Sequence, residues 1–163
     1  QFKSKDEEKV DDDVDGDGDQ FALKEIVWSV TNPDNAEHAN VRDVLLLCHP
    51  TFTHPQDILH LLVTRFLEQD EDATADEHKQ IQLRVVSFLQ HWMRKFYYQD
   101  FHLFPNVDAI LDDFCDRIRN HFTGAEYDKG QKLALMIENT MNVQHSKLEQ
   151  KGLLSDTEKR KKK

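Results

Sequence analysis

The sequence predicts an all-α fold: a single multi-helix domain of about six helices, with a long central helix at about 76–98 and disordered ends. Three observations predict it. Apolar residues recur at helical spacing from residue 21 to residue 151, proline and capping patterns punctuate the runs, and only 5 Gly and 4 Pro occur in 163 residues. That last count is too low for a turn-rich β-sandwich. The length suits one domain able to bury a core without disulfides or metal.

Leu23, Ile26, Val27 and Val30 share one helical face with Trp28 nearby, until Asn32-Pro33 stops the run. A short helix over about Val41 to Cys48 follows. Its Val44-Leu45-Leu46-Leu47 is apolar nearly all round, the pattern of a segment enclosed by neighbours. His49-Pro50 ends it. Thr53 with Gln56 three residues on predicts a capping box, with Pro55 tolerated in the first turn. Ile58, Leu59, Leu62, Val63, Phe66 and Leu67 carry that helix to a polar loop over 68–76.

Thr74 and Glu77 form a second predicted capping box. The central helix then shows Ile81, Val85, Phe88, Leu89, Trp92 and Phe96, widened by Leu83, Val86, Met93 and Tyr97. Asn106 is the expected cap of a fifth helix carrying Val107, Ile110, Leu111, Phe114, Cys115, Ile118 and Phe122, and Gly124 marks its end. A last helix over about 129–151 has Leu133, Met136, Ile137 and Met141 at helical spacing, thinning towards Leu148. The expected division is a disordered acidic arm over 1–20, the helical domain over 21–151 and a basic tail over 152–163. The arm holds nine acids against three lysines, and the tail ends in Lys159-Arg160-Lys161-Lys162-Lys163.

Several functions lose their sequence support. The net charge of -10 opposes general nucleic-acid binding, which needs a basic surface. No apolar run approaches the roughly 20 residues needed to cross a bilayer, and the acidic first twenty residues lack the pattern of a secretory leader. The expected location is therefore the cytoplasm, with Cys48 and Cys115 reduced. Asp13, Asp15, Asp17, Gly18 and Asp19 imitate the start of an EF-hand loop, but Lys24 stands where the closing Glu belongs. They read as a solvated acidic run. His49, His54 and His60 match no zinc spacing and read as surface or loop side chains. No G-x-S-x-G, P-loop or C-x-x-C pattern is present, so no catalytic residue, cofactor or metal is assigned. In the aromatic group Trp92, Phe96, Tyr97, Tyr98 and Phe101, the first two read as core, and Tyr97 and Tyr98 are the candidate partner-binding residues.

A family resemblance rests on residues 41 to 101. Val44-Leu45-Leu46-Leu47, Phe52-Thr53, Pro55, Ile58-Leu59, Leu62 and Arg65-Phe66, followed by Gln82-Leu83-Arg84-Val85, Phe88-Leu89, Trp92, Phe96 and Asp100-Phe101, resemble the Ras exchanger motif. That motif is the N-terminal module of Ras-family guanine nucleotide exchange factors. His49-Pro50-Thr51 departs from the family pattern, which has Tyr or His, then Arg and a small residue. The resemblance implies a non-catalytic module that braces the separate catalytic exchange domain of the same protein and, in some members, helps form a regulatory site for a Ras-like small GTPase. The exchange domain itself, roughly 200 or more residues, is expected outside this chain. A free-standing helical adaptor that binds a small GTPase or another protein is the alternative.

Overall fold

Proline at the first helical position sets two of the helix starts, because its fixed φ is already helical and its missing N–H is one that the first turn leaves unpaired. In a computed structural model of the chain, which describes residues 14–152, six helices follow in order. They are α1 (Val14–Val30), α2 (His38–Cys48), α3 (Pro55–Leu67), α4 (Ala75–Phe96), α5 (Pro105–His121) and α6 (Tyr127–Gln150). A 3₁₀ turn at His49–Thr51 follows α2, a π-helical turn at Tyr97–His102 continues α4, and a second 3₁₀ turn at Gly124–Glu126 precedes α6. Among the described residues there is no strand, and no helix is long and apolar enough to cross a membrane.

Pro55 and Pro105 occupy the first turns of α3 and α5, with His54 and Phe104 as the preceding cap residues. The caps expected at Thr53 and Asn106 therefore do not form. The Thr53 hydroxyl is instead directed at the Asp57 carboxylate. Where no proline intervenes, the sequence rule holds: Thr74 Oγ1 accepts from the Glu77 N–H, and the Glu77 carboxylate accepts from the Thr74 N–H, both at 3.2 Å. Helix α1 starts at Val14. Residues 1–13 and the basic tail from 153 lie outside the described residues.

Helices α3, α4, α5 and α6 form the central body, with α6 packed on both α4 and α5, and α1 paired with α2 against α3. Phe66 lies at its centre. Its ring meets Phe114, Phe122 and His121 edge-on, with centroids 5.4, 6.2 and 6.4 Å away, the geometry that aromatic quadrupoles favour. A polar knot closes the α1 side: buried Arg65 donates to the Thr31 hydroxyl at 3.0 Å and to Asp70 at 2.7 Å, and its guanidinium lies 5.0 Å from the Trp28 ring centroid. Thr31 in turn donates to the Val27 carbonyl. Arg65 thus bonds to Thr31 at the end of α1 and to Asp70 after α3, so the Arg of the Arg65-Phe66 pair acts as an anchor between α1 and α3.

Gly130 brings α6 close to α5. A Cβ there would lie 2.9 Å from Phe122 Cβ and 3.2 Å from the Ile118 carbonyl oxygen. Neither atom is the free end of a flexible side chain, so the helix must shift. Gly130→Ala is expected to lower stability by about 1–3 kcal/mol, despite alanine's better helix propensity. Urea denaturation of the variant checks it.

Buried His78 on α4 gives a pH dependence. Burial lowers its pKa, and the charges of His121, Arg65 and Lys129 add to that while Asp70 opposes it. Half-buried His91 is also lowered, first by burial and then by Arg42. Both imidazoles thus bind protons less readily folded than unfolded, where the pKa is about 6.5. Stability from this source is present above about pH 6.5 and is lost as pH falls below it towards the folded values. Chemical denaturation at pH 7.5 and 5.5 should show this loss, and His78→Gln with His91→Gln should reduce it.

Candidate interaction surface

The surface near the end of α4 is built on a buried carboxylate. The wide π-helical turn that follows Phe96 returns Asp100 towards the body. Its Oδ2 accepts the Trp92 indole N–H at 2.7 Å and lies 2.8 Å from His49 Nε2. All three side chains are buried. His49 belongs to the 3₁₀ turn after α2, so one oxygen joins α4, the π turn and the α2–α3 connection. The His49 ring also meets Trp92 edge-on at 6.0 Å, and Trp92 packs against Phe88 and Phe101.

This arrangement corrects the expectation that the histidines are surface or loop side chains. His49 sits in the core because Asp100, fifty-one residues later, supplies its partner. Pro50 is accommodated at the start of the 3₁₀ turn, so the departure from the family pattern does not interrupt the connection. A histidine beside a carboxylate suggests catalysis, but the geometry opposes it. His49 Nδ1 is buried with no hydrogen-bond partner among the described residues, and Asp100 is already engaged by an indole. An imidazole so enclosed has no route for passing a proton to a substrate. Cys115 is equally inert, since burial pushes its thiol up to about 12, with Glu138 adding to the effect.

Large apolar side chains are exposed on the segments that carry this support. On α2, Leu45 and Leu46 face the core while Val44 is 62% and Leu47 70% exposed. The reading of α2 as enclosed on all sides is thus corrected: two of the four residues in its Val44–Leu47 run face outward. Leu47 lies three residues from Val44 and shares its face. Phe52 is exposed three residues after His49, and Leu103 and Phe104 are exposed shortly after Asp100. Leu83, expected to widen the core stripe of α4, is also exposed. Buried polar links therefore hold segments whose outward side chains are large and apolar.

The two candidate tyrosines separate. Tyr97 is only 6% exposed and stacks on Phe101 with centroids 5.6 Å apart and ring planes 6° from parallel. Burial, Asp108 and Asp112 all push its hydroxyl pKa upward. Tyr98 is half-buried and stacks on His102 at 5.5 Å. Of the pair, Tyr98 has the surface a partner could reach. The sequence reading passed over Asp100 as a structural centre and Val44 and Leu47 as outward-facing. Asp100 beside Phe101, eight residues after Trp92, was the available clue to the first.

The fold is an all-helical domain whose buried polar constellations serve packing. Comparison with protein families gives the RasGEF N-terminal motif over residues 20–117. The chain belongs to that family, the N-terminal module associated with guanine nucleotide exchange factors. Comparisons with curated proteins and with solved structures give no significant match.

Proposed function

We propose that this chain is the non-catalytic module that braces the catalytic exchange domain of a guanine nucleotide exchange factor for Ras-like small GTPases, in the cytoplasm. The supporting observation is the outward apolar face of Val44, Leu47 and Phe52, carried on a connection fixed from behind by Leu45, Leu46 and His49. Exposed apolar groups grouped on a rigid support suit a permanent neighbour better than water. The family match supplies the kind of neighbour. A contribution to a regulatory GTPase site belongs to the same reading, with Tyr98 as a contact.

The test separates folding from docking. Leu47→Glu with Val44→Glu should change the stability of this module by no more than about 0.5 kcal/mol each, as surface substitutions do. In the exchange factor that contains the module, the same pair should slow nucleotide release from the GTPase. Unchanged release would remove this face from the account, and direct GTPase binding by the module in the absence of an exchange domain would favour the adaptor reading.

A further inference from the structure

A second concave site lies at the opposite end of α4 from the π turn, among the first turns of α4, the end of α5 and the start of α6. The cleft has a volume of about 520 Å³. In a chain of net charge -10 its charged lining is mainly cationic: Lys79 and Lys129 stand against the single carboxylate of Glu126, with the imidazoles of His78 and His121 beside them. Glu126 does little to cancel the lysines. Its carboxylate is 3.8 Å from Lys79 Nζ and both side chains are about half exposed, so the pair is loose and screened. Lys129 is held 5.2 Å from the Phe122 ring centroid, which leaves its positive charge unneutralised.

The wall contains a buried donor with nothing to bond. The Gln82 amide nitrogen lies 3.2 Å from His78 Nε2 and 3.3 Å from the Phe66 carbonyl oxygen. An amide NH₂ only donates, so His78 Nε2 accepts and the ring proton resides on Nδ1. That Nδ1 is buried and has no partner among the described residues, and such orphaned groups are uncommon in folded proteins. Around His78 the facing charges are His121 from α5, Arg65 from α3 and Lys129 from α6, with Asp70 opposing them. Asp70 is itself bonded to Arg65.

We propose that this cleft binds a small, soluble phosphate-bearing ligand, with Lys79 and Lys129 as the charge contacts and the Thr123 hydroxyl as a further donor. Two ammonium groups and a hydroxyl suit a dianion with several acceptor oxygens better than a single carboxylate. The cleft is concave and the rest of the chain is acidic, which favours a soluble ligand over an anionic bilayer. Binding places negative charge beside His78, so by linkage it raises the proton affinity of that imidazole, and affinity rises as pH falls.

Inorganic phosphate is the probe. The whole chain is titrated with it against chloride at matched ionic strength, and the histidine ring signals are followed by NMR at several pH values. Saturable ring-signal shifts at His78 and His121, with the His78 titration midpoint moved upward, are expected. Lys79→Gln with Lys129→Gln should weaken the apparent affinity by about tenfold or more, as loss of charge-assisted hydrogen bonds does, while Lys95→Gln with Lys147→Gln should match the unaltered chain. Both pairs replace partly or fully exposed side chains, and an unchanged Tm verifies that each variant is folded. Equal shifts with chloride, or equal affinity in the two double variants, would overturn the proposal. So would retention on anionic-lipid vesicles through Lys79 and Lys129 without any response to phosphate.

Discussion

Asp100→Ala is expected to lower the stability of the domain by about 3–5 kcal/mol, the range for removing the acceptor from two buried donors. The loss is large because Trp92 Nε1 and His49 Nε2 share the same oxygen, and alanine leaves both without a partner in a site closed to water. Asp100→Asn provides the contrast. Its amide oxygen retains an acceptor at similar reach, so a substantial part of the stability should remain. Urea denaturation of the three chains measures the difference, and equal losses for the two variants would show that carboxylate charge, not acceptor geometry, holds the link. Because the link joins the α2–α3 connection to the end of α4, the alanine variant should also show altered exposure of Phe52 and Leu103.

Phe66→Ala should cost about 3–5 kcal/mol, the usual consequence of deleting a buried aromatic ring. Phe66 is fully buried and its ring is enclosed by Phe114, Phe122 and His121. These residues come from α3, α5 and the segment leading to α6, so they have little freedom to collapse into the space left behind. Phe66→Leu should recover part of the loss by filling more of the volume. Leu83→Ala, on the exposed face of α4, is the matched surface control and should change stability by about 0.5 kcal/mol or less. Thermal or urea unfolding orders the three.

The helices were legible in the sequence because their buried faces repeat with the helical period: Ile58, Leu59, Leu62 and Phe66 on α3, and Ile81, Val85, Phe88, Leu89 and Trp92 on α4, are all buried. Periodicity is a local property. What it did not reveal depends on residues far away in the chain. His49 has no feature that sets it apart from the exposed His54 and His60 until Asp100 is brought beside it. Val44 and Leu47 look the same in sequence whether a neighbour within the domain covers them or one outside it does. At Thr53 and Asn106 two rules competed, and proline at the first helical position prevailed over the polar cap. The π turn at 97–102 is a single wide turn, too short to leave a period of its own, and Tyr97 read as ambiguous for that reason. The closeness of α6 to α5 at Gly130 was equally hidden, since a glycine within a helix gives no indication of what lies opposite.

The proposed role, support of exchange without performing it, is tested by labelled-nucleotide release from a Ras-like GTPase. Three proteins are compared: this chain alone, the catalytic exchange domain proposed to accompany it alone, and the two joined. The account predicts that the chain alone leaves release at the GTPase's intrinsic rate and that the joined protein is faster than the isolated exchange domain. Acceleration by the chain alone, or an exchange domain equally active with and without it, would contradict the account.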